Sequence, residues 1–501
     1  MANKYQELVA HLGEITNLNR AAAVLGWDQQ VNMPAGGAEA RAAQLATLAR
    51  TAHELFTSDT TGGLLDAAAR EVDGADYDSD EASLLRVVRQ DYDEQVRLPA
   101  ALVAEMVRET TLAHSVWAQA RQANDFAAFL PALERIFVLA QRTAEHLGYK
   151  DHPYDALLNQ FERGMTTAQV RTIFDSHKPA LVELIAAVGQ HAERVDAAVL
   201  HQPFDIEAQR AFALEIIRAY GFDFERGRQD ISVHPFCTSF SRGDVRITTR
   251  FQPDFLNPAL FGMMHETGHA MYEQGIGSQL DGTPLAGGTS LAVHESQSRL
   301  WENLVGRSRA FWSWALPRLQ QTFPGQLGGV DLDTFYRAIN KVERSFIRVE
   351  ADEATYNLHI MLRFDLETAV LGGKLRPADL AREWNDRFEA LFGVRPPNDA
   401  QGALQDVHWS AGIMGYFPTY ALGNLLSAQY YNKAVQEHPS LPDEIAAGQF
   451  DTLRGWMTEK IYQHGRKFTS DELTRRITGE GIQARDYIAY LQTKLGEVYG
   501  L

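Results

Sequence analysis

Cysteine is nearly absent from this chain of 501 residues; Cys237 is the only one. An intrachain disulfide is therefore impossible, and so is a metal site built on cysteines. Long apolar runs are missing as well. Nothing approaches the roughly 20 consecutive apolar residues that cross a bilayer. The opening MANKYQELVA lacks the apolar core and small-residue cleavage site of a secretory signal. Positive charge is scarce, with 47 Lys and Arg against 65 Asp and Glu and a formal net charge of −18. Such a surface repels phosphate backbones and anionic lipid, so neither nucleic acid nor membrane is expected as a partner. These absences point to a cytoplasmic protein, and an apolar content of 45% is enough for a large buried core.

What the chain has in quantity is helical periodicity. Residues 84–146, 333–371 and 420–437 repeat apolar side chains every three or four positions, with breaks expected near Pro99 and Pro131. The segment 241–251 differs. Val245 and Ile247 alternate with Arg246 and Thr248, the pattern of a half-buried strand whose exposed edge could bond an extended peptide. The acidic cluster Asp73, Asp76, Asp78 and Asp80 looks briefly like a calcium loop. A loop starting at Asp76 would put Glu81 where glycine is required and Val87 where a bidentate Glu is required, so a solvated loop is expected. No repeat, linker or domain boundary emerges. The chain reads as one unit, with two helical lobes around a cleft.

Residues 255–275, FLNPALFGMMHETGHAMYEQG, carry the chemistry. Asn257 is a candidate N-cap, Pro258 suits the first helical position, and Gly275 can close the helix. His265 and His269 are four apart, so one helix face presents both imidazoles to a single ion such as zinc. Glu266 then lies beside the metal, placed to take a proton from the water it activates. The His and acidic content gives roughly 0.07 matches to such a motif by chance, so the site is read as real. A catalytic zinc needs a third protein ligand and an open position. Residues 289–306 form a second helix candidate, capped by Thr289 or Ser290 and ended by Gly306. Glu295 on it would complete a His₂Glu set. His294 points about 100° away, so only one of the two can face the ion. A metzincin site is excluded, because Tyr272 and Gly275 stand where that motif needs glycine and histidine.

These segments, together with LGWDQQVNMPAGGAEARAAQLATL, His234-Pro235-Phe236, Asp244–Thr248, Ile347–Asp352 and Gly402–Trp409, resemble the Taq-type metallocarboxypeptidases of the gluzincin group along nearly the whole chain. The resemblance implies a mainly α fold with a deep substrate groove and a small antiparallel β-sheet beside the zinc. It also implies a homodimer and one catalytic unit over residues 1–501. The implied activity is release of single C-terminal residues from peptides, with broad specificity and proline disfavoured. Zinc is the expected metal, with cobalt an alternative, and an endo-acting zinc oligopeptidase is the rival reading.

A carboxypeptidase must also bind a terminal carboxylate, a task suited to a planar guanidinium. Arg348 is the first candidate and Arg246 the second, although either could simply pair with an acid. The segment 408–420 offers His408, Tyr416 and Tyr420 near the substrate. The resemblance favours His408 and Tyr420 as donors to the oxyanion, against a reading as satisfied buried groups. His234 and Cys237 are read as structural. No dinucleotide-binding glycine pattern and no G-x-S-x-G elbow is present.

Overall fold

The computed structural model describes residues 3–501, and the chain is mainly α. Four N-terminal helices, Lys4–Val31, Ala38–Phe56, Asp59–Glu71 and Asp80–Arg97, close on a small core of their own. Leu8, Leu12 and Ile15 form the stripe of the first helix, and Leu65, Ala68, Leu84 and Val88 face it. Ile276, Leu280 and Leu285, from the far side of the histidine motif, finish this core. The α-helices from Ala100 onward pack around one much larger core. The acidic cluster is a solvated turn: Asp78 pairs with Arg476 at 2.7 Å and Asp80 with Lys467 at 2.8 Å, tying the N-terminal lobe to the C-terminal part of the chain.

Several expected boundaries move. Pro99 does precede the helix Ala100–Ala123. Pro131, however, lies inside the helix Phe126–Leu147. The break comes at Asn124, whose φ of 60 reverses the chain before Asp125 caps the Ala128 N–H. Residues 333–371 are not one helical stretch. Helices Leu332–Ile339 and Glu353–Leu371 flank a segment that is irregular apart from the 3₁₀ turn Arg348–Glu350, and Asp352 caps the second of them.

A three-stranded sheet lies against the motif helix Asn257–Gly275. Its strands are β1 (Gly227–Ile231), β2 (Cys237–Ser241) and β3 (Asp244–Thr249), in the order β1-β3-β2. Val245 and Ile247 are fully buried, as the alternation requires. Thr248 is buried too, because its hydroxyl bonds to Ser232 at 2.6 Å and accepts from the Phe236 N–H at 3.0 Å. The sheet is mixed rather than antiparallel. The Arg242-Gly243 turn makes β2 and β3 a hairpin, while β1 runs parallel to β3 on its other side. β3 is therefore central, with neighbours on both edges. The edge strands are β1 and β2 instead, and β2 also packs against the first helix.

Candidate metal centre

The motif helix runs Asn257–Gly275 with Pro258 in its first turn. Asn257 does not cap it. Leu256 already has helical angles, and the buried Asn257 side-chain oxygen has no partner among the described residues. The imidazoles of His265 and His269 come to 5.0 Å between centroids at 81°. The third component arrives on the helix Leu291–Arg299, capped by Ser290 through the Val293 N–H. One glycine allows these two helices to approach. A Cβ on Gly268 would stand 2.4 Å from the Gln297 carbonyl oxygen and 2.6 Å from the Ser298 Cα. Gly423 does the same for the helix Pro418–Glu437, where a Cβ would meet the Glu295 side chain at 2.7 Å.

Glu295 Oε2 then lies 3.6 Å from His265 Nε2 and 3.4 Å from His269 Nε2. Ligand atoms on a tetrahedral zinc with bonds of 2.0–2.1 Å stand about 3.3 Å apart. The set His265, His269 and Glu295 fits such an ion. Its other atoms are spoken for. His265 Nδ1 meets Glu302 Oε2 at 2.9 Å, and His269 Nδ1 meets His294 Nδ1 at 2.6 Å. His294 Nε2 in turn meets Glu273 at 2.8 Å. One proton assignment satisfies the chain: His269 donates to His294, His294 donates to Glu273, and both Nε2 lone pairs of the ligand histidines stay free. Arg299 Nε donates to Glu295 Oε1 at 2.7 Å and its Nη1 to Glu302 at 3.3 Å, coupling ligand and support.

Glu266, adjacent to the first ligand, is buried and not part of the set. Burial pushes its carboxyl up to about 7, against the pull of His265. Burial also takes His269 down to about 3, keeping it neutral as a ligand must be. Burial alone would raise Glu295, but Arg299 and His265 outweigh it and hold the carboxylate ionised.

Of the two neighbours weighed from sequence, Glu295 faces the histidine nitrogens and His294 backs His269. Glu302 and Arg299 were missed. Glu302 lies seven residues after Glu295 on the same face, within the π-helical turn Leu300–Val305, and that spacing was the available signal.

The structure also gathers His408, Tyr416, Tyr420 and Arg348 into one cluster. His408 Nε2 lies 3.4 Å from the Tyr420 hydroxyl, and the Tyr416 and Tyr420 rings are 5.1 Å apart. Burial holds His408 neutral, with its pKa near 3, and keeps the Tyr420 hydroxyl protonated well past its usual range. Tyr420 sits one turn before Gly423, which packs on Glu295, so the cluster borders the ligand set. A second link runs through Tyr356, whose ring carries Arg299 at 4.6 Å and whose hydroxyl accepts from Arg348 Nη1 at 2.6 Å.

Arg348 is buried and paired with Asp406 through Nε at 3.1 Å and Nη2 at 2.9 Å. The second N–H on each Nη has no protein partner among the described residues. Burial would raise Asp406, but Arg363 and Arg348 hold its carboxyl far below the usual range. Arg246 lies elsewhere, on β3. It bonds Asp244 at 2.9 and 2.8 Å and stacks on Trp27 at 4.2 Å. His234 is exposed in the loop before β2, and Cys237 is half-buried.

The chain is similar to known proteins along nearly its whole length. The family model described as Carboxypeptidase Taq (M32) metallopeptidase matches residues 7–495. Thermostable carboxypeptidase 1 of Thermus thermophilus is 42% identical over 505 residues, 99% of each chain. Carboxypeptidase 1 of Bacillus subtilis is 37% identical over 488 residues, 97% of each. The crystal structure of the M32 carboxypeptidase from Deinococcus radiodurans superimposes with a TM-score of 0.96 at 45% identity, covering 99% of this chain and 100% of that one.

Proposed function

This chain belongs to the Taq-type (M32) metallopeptidase family and is a metallocarboxypeptidase, and we propose that it releases single C-terminal residues from peptides with broad specificity, proline disfavoured. The observation that carries the proposal is the convergence of His265 Nε2, His269 Nε2 and Glu295 Oε2 with Glu266 beside them. Zinc is the metal proposed for that set, with cobalt a substitute. When bound, it supplies Lewis acidity, lowering the pKa of a water towards about 7 and polarising the scissile carbonyl. Glu266 takes the proton of the attacking water and delivers it to the leaving amine. His408 and Tyr420 act as the protein donors to the oxyanion, His408 as a neutral imidazole and Tyr420 as an intact hydroxyl.

Arg348 is the preferred partner of the substrate carboxylate. Asp406 fixes its guanidinium while two N–H groups stay uncommitted, and Tyr416 lies in the same cluster. Arg246 is the second choice, since it lies on β3, outside the cluster of His408, Tyr416 and Tyr420. The extended substrate backbone is assigned to an edge of the sheet other than β3, and β2 is favoured because it packs on the motif helix. We take residues 1–501 as one catalytic unit and expect a cytoplasmic homodimer. No described helix is long and apolar enough to cross a membrane.

Amidation of the substrate's C-terminus tests the exopeptidase reading. A charge-assisted hydrogen bond contributes about 1.5–3 kcal/mol, so its loss lowers kcat/KM by roughly 10- to 150-fold. Arg348→Ala should show the same loss on free-acid peptides and little further loss on amidated ones. Additive losses would move the role to Arg246. Undiminished internal cleavage of amidated peptides would favour an endo-acting oligopeptidase.

A further inference from the structure

The helix Glu353–Leu371 buries a guanidinium and a carboxyl group that the reaction as described does not use. Arg363 and Glu367 stand four residues apart, one turn of the same face, and both are 0% exposed. Arg363 donates to Asp406 Oδ2 at 2.6 Å and to Gln405 Oε1 at 2.7 Å. Glu367 accepts from Trp409 Nε1 at 2.8 Å through Oε1. Through Oε2 it accepts from the Gly415 N–H at 3.2 Å and from the Tyr154 hydroxyl at 2.9 Å.

Those partners bracket His408. The segment 405–417 contains neither helix nor strand, and its backbone is tied locally by turn bonds, among them Ile413 N–H to the His408 carbonyl at 3.2 Å, which leave the loop's seat against the core to other groups. That seat is set from outside, by Arg363 at Gln405 and Asp406 and by Glu367 at Trp409 and Gly415. Between the two anchors the His408 ring packs on Phe417 at 4.4 Å. Burying a carboxylate against neutral donors costs more than burying a leucine of similar size, so core packing alone gives no reason for an acid here. What a carboxylate adds is two acceptor oxygens that fix a side-chain N–H and a backbone N–H of one loop at once.

We propose that Glu367 is a positioning residue for His408, holding the loop so that the imidazole meets the reacting carbonyl. The proposal rests on the reading of His408 as an oxyanion donor. Glu367 touches neither substrate nor metal ligand, and it acts only through the loop.

The test measures kcat, KM and bound zinc for wild type, Glu367→Ala, Glu367→Gln, His408→Ala and the Glu367→Ala/His408→Ala double variant, on an N-blocked dipeptide. A displacement of about 1 Å at a catalytic group costs on the order of 100-fold. Glu367→Ala should therefore lower kcat about 10- to 100-fold, with KM within about threefold and zinc content unchanged. Glu367→Gln, which keeps one acceptor, should recover part of the loss. In the His408→Ala background, Glu367→Ala should cost nothing further. An equal loss in that background, or wild-type kcat in Glu367→Ala, overturns the proposal. Wild-type kcat in His408→Ala refutes the oxyanion reading itself, and the proposal falls with it for that separate reason. Should Glu367→Ala fail to fold, Trp409→Phe removes one donor from the same anchor. A kcat loss that disappears in the His408→Ala background supports the proposal, and one that persists there overturns it.

Discussion

Replacing Gly268 by alanine sets two effects of opposite sign against each other. Alanine is the better helix former by about 1 kcal/mol at an interior position, so propensity alone would make the variant more stable. The contact geometry opposes this. The new methyl would lie 2.4 Å from the Gln297 carbonyl oxygen and 2.6 Å from the Ser298 Cα, both on the neighbouring backbone rather than on a side chain that can swing away. Comfortable heavy-atom contact begins near 3.5 Å, so the helices must separate by about 1 Å. Overpacking of that kind costs about 1–3 kcal/mol, which cancels or exceeds the propensity gain. The larger consequence falls on the metal. Glu295 rides on the displaced helix, and ligand distances tolerate only about 0.2 Å. Gly268→Ala should therefore weaken zinc binding by at least the 10- to 100-fold typical of losing a supporting contact. Competition against a chromophoric chelator measures the affinity, and thermal unfolding of the metal-free protein measures the packing cost. A variant that melts higher than wild type and binds zinc within about threefold would refute the reasoning.

The supports of the ligand histidines make a parallel prediction. Glu302→Gln and His294→Ala should each weaken zinc by about 10- to 100-fold while leaving saturated stoichiometry intact, as a chelator competition would show. Asp406→Asn leaves Arg348 and Arg363 without their shared anion and should destabilise the fold by about 3–5 kcal/mol. Because the folded-state pKa of Asp406 is depressed, its contribution is complete above an unfolded pKa of about 4. It is lost as pH falls below that value. Urea titrations of both proteins should converge towards acid, and a gap that stays constant from pH 7 to pH 3 would contradict the assignment.

Much of the site was legible because it is local. His265, Glu266 and His269 share one helical turn, and Glu295 follows a readable cap at Ser290 on the next helix. The rest depends on partners distant in sequence. Asn257 reads as a cap, but the chain is already helical at Leu256. Residues 340–352 carry Val342, Phe346 and Ile347 at helical spacing and no glycine or proline to warn of a break. Gln405 takes the Arg348 N–H and Asp406 takes its guanidinium, so tertiary bonds replace helical ones. The parallel pairing of β1 could not be seen, because periodicity gives a strand's faces and not its neighbours. Gly268 was visible only as a residue of the motif. Its purpose, the approach of a second backbone, needed the structure.

The central claim is that Glu266 acts on water activated by a metal it does not hold. The direct measurement is zinc titration of chelator-stripped protein, reading bound metal and amino-acid release from an N-blocked dipeptide together. Wild-type activity should rise with zinc to a plateau at one equivalent per chain. Glu266→Gln should bind the same equivalent while turnover falls by several orders of magnitude. Full activity in the stripped wild type, or near-wild-type turnover in zinc-loaded Glu266→Gln, would contradict the account.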